Sequence, residues 1–311
     1  MKIIFMGTPD FAVPILEALH EEFTDIPLVI TQPKRKKGRG EKLRPTPVNV
    51  VADKLGLKVI CPEEIRTQKF VSKLQAIKPD VIVVAAYGKI LNKEILDMPR
   101  YGCINVHASL LPKYRGAAPI HWAVINGETE TGITIMQMDV GMDTGDIISQ
   151  EKIKIGPDET TGSVHDELAE LGAGLMVEAL RNIENNQFSK IPQDEKLATY
   201  APKIDRAMEK INWHHTAQEI HNLIRGLNPW PGAYTTINNN NLKVWASQIV
   251  DLEQQKKMPG CVYEIVNGEG IIVQAGKGLI KLTELQAPGK RKISAGEFLK
   301  GYFLSKGDIF S

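Results

Sequence analysis

The sequence predicts an α/β fold, a parallel sheet covered by helices, followed by a smaller all-β domain. Three observations carry this reading. Through the first half, short apolar runs alternate with helical patterns, which is how strand–helix–strand units and a parallel sheet are written. From about residue 186 to 208 the periodicity dissolves into Gln, Lys, Pro and Asp, the composition of a connecting segment. Beyond it, short alternating segments are separated by Gly and Asn clusters, as in a small β-barrel. At 311 residues, each part has enough chain for a core of its own. The predicted boundaries are 1–188 for the first domain, 189–207 for a linker and 208–311 for the second domain.

Strands are expected at 2–6, 28–31, 58–60, 81–85 and 104–107, and helices at 12–20, 48–55, 67–76 and 120–126. Pro14 fits a helix only because it falls in the first turn, where a missing N–H costs no hydrogen bond. Gly7-Thr8-Pro9-Asp10 lacks both GxGxxG and GxxxxGKS. It therefore reads as a tight turn with Asp10 near the helix N-terminus, which removes the dehydrogenase and kinase readings of an α/β domain. Segment 131–138 reads as another strand and 146–154 as its continuation or partner. Over 161–184, Val164, Leu168, Leu171, Leu175, Ala179 and Ile183 recur at three- and four-residue steps, giving a helix with one buried face. After the linker come an amphipathic helix at 216–227 and a stop signal, Asn228-Pro-Trp-Pro-Gly232. Strands are then expected at 233–237, 242–249, 260–265, 270–274 and 279–285. Trp230, flanked by prolines, reads as a domain-packing corner rather than a base-stacking platform.

The formal charge of +1 does not announce a nucleic-acid binder, so any such surface must be a local patch. Cys61, Cys103 and Cys261 are far apart and form no CxxC pair, which argues against a disulfide framework or a zinc site and suits a reducing compartment. His214-His215 has no third ligand at usable spacing, so no metal is expected. Lys2 leads directly into a strand-like run too short for a signal-peptide core, and the apolar run at 81–86 cannot span a bilayer. A soluble cytoplasmic protein without a membrane partner is the expectation.

In the strand at 104–107, Asn105 and His107 project from the same face, and a turn-rich segment follows at once. Polar residues at one parity of a buried strand need partners, and Asp143-Thr144-Gly145 supplies a carboxylate. An imidazole moves protons near neutral pH, an amide donates to a developing oxyanion, and a carboxylate orients and charges the imidazole. Together they suit acyl transfer. Asp139, the other carboxylate, reads as a turn cap ahead of a direct role in the chemistry.

Asn105-x-His107, Ser109-Leu-Leu-Pro-x-x-Arg115-Gly116 and Asp139-x-Gly-x-Asp143-Thr-Gly145 resemble, at every position of the pattern, the folate-dependent formyltransferases. That resemblance implies Asn105, His107 and Asp143 as the catalytic trio, with Ser109, Leu110, Leu111 and Pro112 lying along the folate. It implies 10-formyltetrahydrofolate as formyl donor, no metal, a Rossmann-like first domain and an OB-like barrel as the second. The runs 6–11, Gln32-Pro33, Gly38-Arg39-Gly40 and 228–232 narrow it, over essentially the full length, to members acting on initiator methionyl-tRNA.

Residues 34–44 carry seven basic groups in eleven positions, broken by two glycines, and cannot pack into a core. The segment follows the strand at 28–31, so it belongs at the C-terminal edge of the sheet, where parallel sheets carry their sites. Lys36, Lys37, Arg39, Lys42 and Arg44 are the candidate tRNA contacts, and Arg39 matches the key arginine of the family's acceptor-stem loop. Lys34, Lys36 and Lys37 depart from the commoner Asp, Pro and Ala. Lys281, Lys290, Arg291 and Lys292 either extend the basic track or are plain surface. A monomer is expected. Two rivals remain: an enzyme of the same fold acting on a small amine, and a non-catalytic RNA binder. The extra domain and basic loop speak against the first, and the intact trio against the second.

Overall fold

The computed structural model describes residues 1–37 and 42–311, with the side chains of 35–37 and 42 left aside. The chain forms two compact units that interleave in sequence: 1–116, 131–153 and 165–201 make the first, and 117–130, 154–164 and 202–311 the second.

Among the described residues, the main sheet of the first unit has seven strands: β1 (Ile3–Gly7), β2 (Leu28–Ile30), β3 (Val59–Ile60), β4 (Val81–Ala85), β5 (Cys103–His107), β6 (Glu130–Gln137) and β7 (Ile147–Lys154). Their order is β7-β6-β5-β4-β1-β2-β3. The pairs from β3 through β5 are parallel, and β6 runs antiparallel to β5. β7 is thus the neighbour of β6. β1 and β4 are buried throughout, as their unbroken apolar runs require of strands covered on both faces. Helices Pro47–Lys54 and Gln68–Ile77 start where Thr46 and Thr67 accept the N3 backbone N–H groups. Asp10, by contrast, gives no side-chain cap to helix Ala12–Glu22.

The long helix Thr161–Glu184 buries Val164, Leu168, Leu175, Ala179 and Ile183, with Leu171 half-buried. A Cβ at Gly172 would lie 3.0 Å from Val106 Cγ1, so the helix backbone sits close against β5. Because side chains alternate along a strand, Val106 facing the helix turns Asn105 and His107 to the opposite face.

The aperiodic stretch behaves differently from a free connector, because the chain belongs to the first unit as far as Ala201. Ile191 bridges to Ile147, and Tyr200–Ala201 runs parallel to Arg115–Gly116. Backbone and polar side-chain bonds hold it rather than a buried stripe, which is why no period marks it. After β2, Arg35–Lys37 and Lys42–Arg44 pair as an antiparallel ribbon.

In the second unit, Ala233–Ile237, Asn240–Asp251, Leu279–Gln286, Gly270–Gln274 and Val262–Val266 form an antiparallel sheet in that order. Residues 308–311 join its two edges. Thr236 and Ser311 exchange N–H···O bonds of 2.8 and 2.9 Å, while Phe310 N–H donates to Gly260 and Val262 N–H to Asp308, both at 2.8 Å. The sheet closes into a barrel-like form around Val244, Val273, Leu282, Phe298 and Phe310. Helix Ala217–Gly226 begins with a capping box between Thr216 and Glu219. Trp230, 44% exposed, packs edge-on against His121 at 6.0 Å. Among the described residues, no helix is long and apolar enough to cross a membrane.

Candidate active site

β5 delivers the imidazole of His107, 5% exposed, and the half-buried amide of Asn105. His107 Nε2 lies 3.0 Å from the Tyr114 carbonyl. A carbonyl only accepts, so Nε2 carries a proton and Nδ1 is the nitrogen left for chemistry. Asp143 Oδ2 faces Nδ1 at 3.7 Å and accepts the Gly116 N–H at 2.9 Å. The Asn105 amide makes no hydrogen bond to another described residue, which leaves its N–H groups available as donors. The predicted trio thus gathers at the C-terminal end of β5, with Asp143 brought in from the turn after β6.

That turn is sterically demanding. Asp143 sits at φ 55°, a left-handed conformation that Asp tolerates better than most residues. A Cβ at Gly145 would collide with the Gln137 carbonyl oxygen, which explains the glycine of Asp-Thr-Gly. Asp139 accepts from Gly141 N–H at 3.0 Å and from the Thr144 hydroxyl at 2.8 Å, so it caps the turn as expected.

Of the four residues expected along the folate, Ser109 and Leu111 are buried in the fold while Leu110 and Pro112 are half-buried. Ser109 Oγ is committed to the Lys113 carbonyl at 2.6 Å. Sequence reasoning missed Thr134, which stands opposite His107 in the β5–β6 pairing. Its hydroxyl donates to the Ser109 carbonyl and accepts from the Leu111 N–H and the Gln150 amide. It holds residues 109–111 in place. Sequence reasoning also missed Gln193 and Glu195, which meet the fully buried Arg115. The Glu195 carboxylate raises the pKa of Arg115, and the guanidinium lowers that of Glu195. Their signal lay in a segment with no period.

Among the candidate tRNA contacts, Arg39 lies outside the described residues, and for Lys36, Lys37 and Lys42 only the strand backbone is described. Arg44 is exposed. His214 and His215 are exposed, and among the described residues no group of three or more His, Cys, Asp or Glu is placed to hold a metal ion. In the second unit, a cavity of about 740 Å³ opens beside His221, Arg225 and Trp245. None of the predicted site residues lines it. Burial lowers the pKa of both His221 and Arg225.

Residues 1–180 match the formyl transferase family, and residues 203–303 match the formyl transferase C-terminal domain. The chain belongs to the formyl transferase family. Methionyl-tRNA formyltransferase from Halothermothrix orenii is 49% identical over 313 residues, covering 99% of each chain. The methionyl-tRNA formyltransferase of Moorella thermoacetica is 50% identical over 309 residues, again covering 99% of each. Among solved formyl transferase-like folds, an N-formyltransferase from Helicobacter canadensis, in complex with folinic acid and dTDP-3-aminofucose, superposes with TM-score 0.70 at 23% identity. The match covers 92% of this chain and 99% of that one. HypX from Aquifex aeolicus, in complex with tetrahydrofolic acid, gives 0.63 at 18% identity, covering all of this chain and 50% of that one. At such identities these two likenesses concern the fold alone.

Proposed function

We propose that this chain transfers the formyl group of 10-formyltetrahydrofolate to the α-amine of initiator methionyl-tRNA, yielding N-formylmethionyl-tRNA for translation initiation. The observation that carries this is identity of 49–50% to methionyl-tRNA formyltransferases across 99% of both chains. The donor set fits a formamide: an uncommitted amide and an imidazole share one face of β5, with a carboxylate 3.7 Å from the ring. The folate supplies a formyl group carried on an aryl amine nitrogen, already activated for attack by an amine.

In this reading Asn105 donates to the formyl oxygen as negative charge develops there. The doubly protonated ring of His107, held charged by Asp143, donates to it through Nδ1–H while Nε2–H stays on the Tyr114 carbonyl. Tyr114 fixes the ring from the far side through Nε2. Asp143 orients the imidazole and receives a proton from the attacking amine, directly or through a water. It returns that proton to the folate nitrogen as the oxyanion collapses, the bond from the formyl carbon to that nitrogen breaks and tetrahydrofolate leaves. The folate lies along Ser109, Leu110, Leu111 and Pro112, where Leu110, Pro112 and backbone groups are the surfaces offered. The basic segment over 34–44, with Lys36, Lys37, Arg39, Lys42 and Arg44, meets the tRNA phosphates. The first unit is the catalytic one and the second, of OB-like type, binds the tRNA, and the protein acts as a cytoplasmic monomer.

The test is formyl transfer from labelled 10-formyltetrahydrofolate to charged initiator tRNA, beside a dTDP-amino sugar as small-amine acceptor. Label on the aminoacyl-tRNA is expected. Label on the sugar alone would replace this reading with the small-amine one.

A further inference from the structure

We infer that Gln193 is a positioning residue for Asp143, an inference that rests on the proposed catalytic role of that carboxylate. The Gln193 amide makes four hydrogen bonds. Its Oε1 accepts from Arg115 Nε at 3.0 Å and Nη2 at 2.8 Å, and its Nε2 donates to the carbonyls of Asp143 at 2.8 Å and Gly145 at 2.7 Å. The two carbonyls flank Thr144, so a single amide fixes both sides of the turn that holds Asp143 at φ 55°. An unsupported non-glycine residue in that conformation costs about 1 kcal/mol or more. Asp139 caps the turn from within, and Gln193 ties it down on both sides of Thr144.

Arg115 in turn fixes the amide. Its side chain is fully buried, and two of its other N–H groups form a two-bond fork onto Glu195 at 2.9 and 2.8 Å. The same stretch of chain steadies the other two contacts of the pair. Thr199 Oγ1 accepts the Tyr114 N–H at 2.9 Å, and the Tyr114 carbonyl meets His107 Nε2. Ala201 pairs with Gly116, whose N–H holds the Asp143 carboxylate. A Cβ at Gly116 would lie 2.7 Å from the Ala201 carbonyl oxygen, which shows how closely the segment is laid against the site. Residues 193–201 thereby reach the backbone of Asp143, its carboxylate and the ring of His107, each through one intermediary at most.

The amide's chemistry separates positioning from mere packing. Gln193→Glu keeps the acceptor for Arg115 but replaces two donors with an oxygen facing two carbonyls. The fold keeps its anchor while the turn loses its hold. For Gln193→Glu, kcat should fall about 10- to 100-fold, the cost of misplacing a reacting group by about 1 Å. KM for methionyl-tRNA and for the folate should stay within about two-fold, since neither is expected to touch Gln193. The deciding measurement is a double-mutant cycle with Asp143→Asn. If Gln193 acts through Asp143, adding Gln193→Glu to Asp143→Asn lowers kcat little further. Full additivity, or unchanged kcat in Gln193→Glu while Asp143→Asn is impaired, overturns the inference. Wild-type kcat in Asp143→Asn overturns instead the role given to Asp143. Should Gln193→Glu fail to fold, Gln193→Met, which keeps the length and loses both halves, carries the same cycle.

Discussion

His107 is held from one side by a peptide carbonyl and faced on the other by a carboxylate just beyond hydrogen-bond length. That arrangement leaves Nδ1 able to meet a substrate. Asn105→Ala, His107→Ala and Asp143→Ala should each lower turnover by roughly two to four orders of magnitude while thermal melts stay close to wild type. Retention of more than about a tenth of wild-type turnover by His107→Ala would end its assignment. Another histidine, His221, bears on stability. His221 is 4% exposed, with Nδ1 at 3.0 Å from Ser247 Oγ and Nε2 at 3.2 Å from the Pro157 carbonyl, and burial lowers its pKa from 6.5. The unfolded chain therefore takes up a proton near pH 6.5 that the folded one refuses until lower pH. The resulting stability is complete above that value and is lost as pH falls through the lowered one. Urea unfolding at pH 8 and pH 5.5 should show a smaller acid-side loss in His221→Gln than in wild type. Equal losses would remove His221 as the cause.

The basic ribbon is the element whose role is easiest to isolate, because phosphate neutralisation releases counterions and leaves a salt signature. Removing Lys36, Lys37 and Arg39 together should weaken methionyl-tRNA use and flatten its salt dependence, with folate affinity barely changed. Arg39→Ala should hurt more than Lys36→Ala, since a guanidinium grips phosphate with two donors. Apparent affinities measured at several salt concentrations decide it, and superimposable curves would make the ribbon plain surface. Elements written in repeated apolar steps were legible beforehand. The helix Thr161–Glu184 and the strands Val81–Ala85, Ala233–Ile237 and Gly270–Gln274 have the bounds read from sequence. The other elements read there drift by a residue or two at their ends, and the short helices Lys93–Leu96 and Ala295–Leu299 were not read at all. The same-face placement of Asn105 and His107 followed from strand alternation alone. The two-residue pairing of Arg115–Gly116 with Tyr200–Ala201 left no trace, because two residues carry no period. Gln193 was invisible for a related reason. Its meaning lies in carbonyls about fifty residues away in sequence, at Asp143 and Gly145, and an amide in a polar stretch looks like any other.

At the scale of the whole molecule, the useful boundary falls after Ala201 rather than at the last helix. A chain ending at 188 loses Gln193, Glu195, Thr199 and the Tyr200–Ala201 pairing. It should melt at a clearly lower temperature than one ending at 201, and tetrahydrofolate should bind the longer fragment more tightly. Identical melts would show that residues 191–201 contribute nothing to the first unit. The interleaving has a further consequence in time. A nascent chain emerges from its N-terminus and folds as its parts become available. Ile120, Ala123 and Val124 of helix Pro119–Ile125 are buried in the second unit, where that helix meets helix Ala217–Gly226. Nearly a hundred residues must be synthesised between an apolar surface and the helix that covers it. During that interval the half-made protein exposes a sticky face that the finished one never shows, and chains stalled near residue 200 are the ones expected to need a chaperone.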